Sequence, residues 1–188
     1  EAPLRETLGA FCGRKLIEGL HFSELSEVQL IDPMAGTGTL LLETSLLYQV
    51  TPREDFPFLN WKSTPKILRS PSFKNAYSSF PRLFKSVEAA DRDQEVLGLC
   101  EERLKAAGLS HSLVCQDLMK LQPVKKVRNF LILNPPYGER LAADFSASEL
   151  LTQLSHIYSP ERIGILFSEN QARSVLKDLK ANKALKEV

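Results

Sequence analysis

Apolar residues at Leu4, Leu8 and Phe11, then Leu16 and Leu20, recur at helical spacing and predict a helix opening after Pro3. The short apolar run Val28 to Ile31 reads as a strand that ends on Asp32. Leu40 to Tyr48 reads as a buried helix, and Pro52 stops it. From there to about Phe84 the pattern is irregular, with prolines at 52, 57, 65, 71 and 81, so residues 50–85 read as an insertion. Alternation resumes with a strand at Ser86 to Ala90 and a helix from Gln94 to Ala107. That helix carries Val96, Cys100, Leu104 and Ala107 on one side and stops at Gly108. Strands at Leu113 to Cys115, Phe130 to Leu133 and Ile163 to Phe167 follow, with helices at Glu149 to Ile157 and Gln171 to Leu179. Strand and helix alternate throughout, which predicts an α/β fold with a doubly wound, mostly parallel sheet. In such a sheet the ligand site lies beyond the carboxyl ends of the strands.

Composition changes this picture little. The chain has 188 residues and is 43% hydrophobic, enough for one core, so residues 1–188 are expected to form a single domain. A formal net charge of +1 neither announces nor excludes a nucleic-acid partner. Cys12, Cys100 and Cys115 are odd in number and far apart, which predicts reduced core thiols and a cytoplasmic home. No apolar run approaches the roughly 20 residues that cross a bilayer, and no leader precedes the first helix, so no membrane partner is expected. His21, His111 and His156 show no ligand spacing, so no metal is expected. The start at Glu1, without methionine, reads as that of a fragment of a longer protein.

The segment Asp32-Pro33-Met34-Ala35-Gly36-Thr37-Gly38-Thr39 joins the first strand to a helix, where glycines permit a tight turn and close approach of a ligand to the backbone. Position 41 is Leu41, where a dinucleotide fingerprint has its third glycine. The next acidic strand end, Asp91, lies far beyond the roughly 20 residues typical of nicotinamide sites. S-adenosylmethionine is the better match. In that site Asp32 would help hold the cofactor's ammonium, with Pro33, Ala35, Gly36 and Gly38 packing on its amino-acid portion. Asp91 would accept the ribose hydroxyls, and Asp117 would face the adenine.

Asn134-Pro135-Pro136-Tyr137, directly after the fourth strand, is the more specific signal. An exocyclic base amine is a poor nucleophile because its lone pair is delocalised into the ring. The Asn134 side-chain oxygen and the Pro135 carbonyl could each accept one amine hydrogen and leave the lone pair aimed at the sulfonium methyl. They would also stabilise the positive charge as it moves to nitrogen. Asn134 thus faces both cofactor and acceptor. Pro136 stiffens the loop, and Tyr137 would stack on the extruded base. Arg140 is placed either to grip a neighbouring phosphate or to pair with Glu139 or Asp144.

The motifs D-P-M-A-G-T-G-T and N-P-P-Y-G-E-R-L, with A-P-L-R-E-T-L upstream, D-F-P-F-L-N-W after the glycine-turn helix and A-D-R-D at Asp91, resemble the catalytic domain of the bacterial 23S rRNA guanine-N2 methyltransferases. Those proteins are also described as adenine-specific DNA methylases. The resemblance implies a Rossmann-like class I S-adenosylmethionine methyltransferase fold and an RNA substrate. It assigns Asp32, Gly36 and Gly38 to the methionine end, Asp91 to the ribose, Asp117 to the adenine, and Asn134, Pro135 and Tyr137 to the target base. Ala35 and Thr37 depart from the family's cysteine and serine, both by small changes. Family members carry an RNA-binding THUMP domain ahead of this region, and that domain is missing from this chain. Too few residues follow Leu179 for the two closing strands, so an incomplete final hairpin is expected.

Six basic residues and no acidic one lie between Lys62 and Lys85 (Lys62, Lys66, Arg69, Lys74, Arg82, Lys85), interleaved with Phe73, Tyr77, Phe80 and Phe84. This segment is either an RNA contact, with phosphates neutralised and bases stacked, or an insertion whose aromatics pack onto the core. Three functions stay open on sequence: guanine-N2 methylation of rRNA, adenine-N6 methylation of DNA, and a non-catalytic RNA-binding or ribosome-assembly module. Protein glutamine methylation uses the same tetrad, and the basic aromatic segment argues against it.

Overall fold

A computed structural model describes residues 4–48, 62–63, 65–66, 82–123, 127–135 and 146–181. The elements run in the order α1 (Glu6–Leu16), α2 (Phe22–Leu25), β1 (Gln29–Asp32), α3 (Thr39–Ser45), β2 (Ser86–Asp91), α4 (Gln94–Ala106), β3 (His111–Cys115), β4 (Asn129–Leu133), α5 (Ala147–Tyr158), β5 (Arg162–Ile165) and α6 (Glu169–Ala181). A 3₁₀ turn at Leu118–Lys120 separates β3 from β4. Among the described residues the strands form one five-stranded sheet in the order β3-β2-β1-β4-β5, with each of its pairings parallel. This is the doubly wound, Rossmann-like architecture that the alternation predicts.

Successive strand residues point to opposite faces, so each strand feeds two apolar layers. Leu30, Val87, Ala89, Phe130 and Ile132 face a core built with Leu16, Leu40, Leu41, Leu97, Cys100 and Leu104 of the helices. Ile31, Leu131 and Leu133 face the other way, onto Leu150, Leu154, Ile157 and Tyr158 of α5. Asn129, the first residue of β4, is fully buried, and its Nδ2 donates to the carbonyls of Val127 and Tyr158, tying the strand to the end of α5. Ser146 and Glu149 form a reciprocal capping box that starts α5 two residues before the expected Glu149.

Two faces differ from expectation. In α1 the expected stripe is partly turned outward: Leu8 is 41% and Phe11 57% exposed. The packed face is instead Gly9, Gly13 and Leu16, because the glycines let α1 approach α3 closely. A Cβ on Gly13 would collide with Thr44 Oγ1. In α4 the buried line is Leu97, Cys100 and Leu104, with Val96 beside it. Of the three cysteines Cys100 is a core thiol, Cys12 is half-buried and Cys115 is exposed on the edge strand β3. Residues after Ala181, where the closing hairpin is expected, lie outside the described residues.

Candidate active site

The strand order reverses between β1 and β4, which are direct neighbours with Ile31 opposite Leu131. Parallel strands bring the loops after β1 and β4 to the same end of the sheet, side by side. At a reversal of this kind the two following loops diverge to opposite faces and leave a crevice. Asp32 ends β1, Asp91 ends β2, Asp117 stands two residues past the end of β3, and Asn134 follows β4 directly. Neighbouring strands lie about 5 Å apart. The sheet therefore assembles one row of polar side chains from four separate parts of the chain.

Asp32 is 1% exposed, and its Oδ1 accepts the Met34 N–H at 3.0 Å. Burial pushes its carboxyl up to about 8, the Met34 bond pulls the other way, and the charge of Asp91 adds to the rise. A carboxyl so desolvated gains most by ionising against a cation. Pro33 and Ala35 are buried beside it.

The turn after β1 is held by backbone geometry. The Ala35 N–H donates to the Ala90 carbonyl at 2.9 Å, and the Gly38 N–H closes the turn onto the Ala35 carbonyl at 2.8 Å. Gly36 has φ 52° and Gly38 φ 77°, both left-handed values that side chains disfavour. A Cβ on Gly38 would strike Cys100 Sγ at 2.5 Å, whereas nothing lies within 4 Å of one on Gly36. Gly38 is thus required by packing below the turn, and Gly36 borders open space above it.

Asp91 Oδ2 accepts the Gly36 N–H at 2.9 Å, and its Oδ1 accepts the Asp93 N–H at 3.0 Å. Each oxygen of an ionised carboxylate has a second lone pair, so these bonds orient the group and leave acceptor capacity for a diol. Asp117 Oδ1 caps the following 3₁₀ turn by accepting the Met119 N–H at 2.9 Å. The Gln116 N–H donates to the Asp91 carbonyl, fixing that loop to the end of β2. Asn134 is half-buried and Pro135 buried.

Pro136, Tyr137 and Arg140 lie outside the described residues, as do Arg69, Phe73, Lys74, Tyr77 and Phe80 of the basic segment. The described members of that segment divide by chemistry. Lys62, Lys66, Arg82 and Lys85 are exposed. Phe84 is buried and packs edge-to-face on Phe130, ring centroids 6.5 Å apart, so it belongs to the core. Among the described residues no group of three or more His, Cys, Asp and Glu is placed to hold a metal ion. Among them, too, no helix is long and apolar enough to cross a membrane.

One neighbour of the turn carries no signal in the sequence. Arg103, in the last turn of α4, reaches across to the glycine turn and bonds Thr37 and Thr39. A basic residue in a last helical turn ordinarily complements the helix dipole, so its position alone carried no other signal.

The family model for the RMKL-like methyltransferase domain (UPF0020) matches residues 2–187. The chain belongs to this family. A relative of this methyltransferase domain, the ribosomal RNA large subunit methyltransferase K/L of Shewanella frigidimarina, is 30% identical over 201 residues, covering 99% of this chain. The domain spans only 27% of that relative's length. A solved structure of a predicted N6-adenine-specific DNA methylase from Listeria monocytogenes superposes with a TM-score of 0.66 at 21% identity. It covers 93% of this domain and 47% of that chain. A methyltransferase candidate solved as a complex with SAH gives a TM-score of 0.63 at 21% identity, over 87% of this domain and 44% of that chain. At these identities the two structures show the shared fold.

Proposed function

We propose that this methyltransferase domain transfers a methyl group from S-adenosylmethionine to the exocyclic amine of an RNA base, the N2 of a guanine in 23S ribosomal RNA. The observation that carries the reading is the convergence of Asp32, the Gly36–Gly38 turn, Asp91 and Asn134 at one end of the sheet, where strand order reverses. The methyltransferase K/L name of the Shewanella relative supports an rRNA substrate. The SAH complex of a structural neighbour supports the cofactor.

The residues present suit the cofactor. Asp32 offers a buried carboxyl to the ammonium of the methionine portion, Gly36 leaves room against the backbone, and Asp91 offers oriented lone pairs to the ribose. Asp117 faces the adenine in this reading. S-adenosylmethionine supplies a methyl carbon made electrophilic by its sulfonium. The chain's task is to orient the acceptor. The Asn134 side-chain oxygen and the Pro135 carbonyl would accept the two amine hydrogens, leaving the nitrogen lone pair free to attack; as the N–C bond forms and the S–C bond breaks, both oxygens would stabilise the charge on nitrogen until one proton leaves to solvent. Tyr137 stacks on the base, Pro136 stiffens the loop, and Arg140 grips a flanking phosphate. Residues 1–188 act in this reading as one catalytic domain in the cytoplasm, with no metal in the reaction.

Mass-spectrometric nucleoside mapping of ribosomal RNA from cells with and without the gene tests the proposal. Loss of one N2-methylguanosine from large-subunit RNA supports it. An unchanged rRNA pattern, or loss of N6-methyladenine from DNA, contradicts it.

A further inference from the structure

Both glycines of the turn sit at positive φ, and glycine visits other conformations at little cost, so something outside the turn must select this one. Backbone N–H groups are tied to the Ala90 carbonyl, to Asp91 and within the turn. Of the turn's carbonyls, that of Ala35 accepts the Gly38 N–H and that of Gly38 the Leu42 N–H, while the Thr37 carbonyl is held by a side chain from α4. Arg103 Nη1 lies 2.8 Å from the Thr37 carbonyl oxygen, 3.3 Å from Thr37 Oγ1 and 3.2 Å from Thr39 Oγ1. The guanidinium is planar, always charged and half-buried here, so it can hold a peptide plane in one orientation with little freedom left to lose. It reaches 66 residues back along the chain to do so, spanning the connection between the glycine turn and the unit that carries Asp91. Cys100, one helical turn earlier on α4, fills the space beneath Gly38.

We propose that Arg103 is a positioning residue for the cofactor turn. By fixing the Thr37 peptide it holds Gly36 and Gly38 in their binding conformation before the cofactor arrives. Asp91 and Arg103 are carried by consecutive elements, so β2 and α4 together act as a clamp on the loop after β1. The inference rests on the reading of that loop as the S-adenosylmethionine site.

The test uses the full-length protein as wild type, Arg103→Ala, Arg103→Lys and Arg162→Ala. Arg162 is the comparison because its Nη1 makes similar bonds far from the turn, to the carbonyls of Leu16 at 3.0 Å and Glu18 at 2.9 Å. Calorimetric titration of the cofactor-free protein with S-adenosylmethionine gives Kd. Amide hydrogen exchange of the cofactor-free protein reports order in the turn without any turnover. Arg103→Ala should raise Kd and the cofactor KM about tenfold or more, while kcat changes less than about twofold. Its Gly36 and Gly38 amides should lose protection while those of Leu30 and Ile31 in β1 keep theirs. Arg103→Lys should fall between wild type and Arg103→Ala. Arg162→Ala should lower Tm and leave Kd unchanged.

A wild-type Kd in Arg103→Ala overturns the proposal, as does equal loss of protection in the turn and in β1, or an Arg162→Ala variant that binds as weakly as Arg103→Ala. If Arg103→Ala does not fold, Arg103→Lys decides, and a wild-type Kd there is equally fatal. If the wild type itself binds no S-adenosylmethionine, the cofactor reading fails, and the exchange comparison still decides whether Arg103 orders the turn.

Discussion

The carboxylate of Asp91 accepts the backbone N–H of Gly36 at 2.9 Å, joining the end of β2 to the turn that follows β1. The residue expected to hold the ribose therefore also helps shape the loop expected to hold the methionine portion. On that proposal, binding and preorganisation share one side chain.

Replacing Asp91 should consequently cost more than one ligand contact. Asp91→Ala removes the acceptor for Gly36 and Asp93 together with the proposed diol partner. The expected loss is about 1.5–3 kcal/mol, roughly one to two decades in the S-adenosylmethionine Kd. Asp91→Asn keeps one oxygen acceptor and should lose less. Calorimetric titration measures both, and an unaltered Kd in Asp91→Ala would reject the assignment.

With Asp32 in the proposed ammonium site, binding should depend on pH. With its carboxyl raised to about 8 by burial, it is mostly protonated at pH 7 in the cofactor-free protein. An ammonium partner favours the ionised form, so binding should release up to about one proton at pH 7, and affinity should rise toward pH 8. Titration in two buffers of different ionisation enthalpy measures the proton count, and a count of zero would contradict the role. The cofactor-free fold carries the opposite dependence. Because the folded pKa lies above the ordinary value of 3.8, the stability contribution is full below about pH 4 and is lost as pH rises through about 8. Asp32→Asn should flatten that decline and weaken cofactor binding, which denaturant melts across pH would show.

The two turn glycines should respond differently to alanine. Gly38→Ala puts a methyl 2.5 Å from Cys100 Sγ and forces a side chain to φ 77°, so it should destabilise the fold by about 2–4 kcal/mol. Gly36→Ala meets no neighbour and carries only the conformational cost, about 1–2 kcal/mol, with its main effect on cofactor affinity. Adding Cys100→Ala should restore part of the stability of Gly38→Ala and none of that of Gly36→Ala. Equal melting temperatures for the two glycine variants would contradict this division.

The sheet, and the strand-end positions of the candidate site, are legible in the sequence because both depend on local signals. Asp32, Asp91 and Asn134 end apolar runs that read as strands, and parallel topology alone brings such ends together. The helix α2 escaped notice because four residues carry no periodicity. The outward tilt of Leu8 and Phe11 was hidden because Gly9 and Gly13, invisible to a hydrophobic count, decide which face of α1 packs. Arg103 was missed for a different reason. Its partners lie in another part of the chain, and only the packing of α4 against α3 brings them within reach.

The proposed acceptor site rests on Asn134, and one comparison tests it most directly. Methyl transfer to ribosomal RNA at saturating S-adenosylmethionine, measured for wild type and Asn134→Ala in the full-length protein beside the cofactor Kd of each, separates chemistry from cofactor capture. Loss of a transition-state hydrogen bond at the acceptor predicts a fall in turnover of about 100- to 1,000-fold with a Kd that barely moves. Turnover equal to wild type would remove Asn134 from the reaction, and with it the account of how this domain orients a base amine.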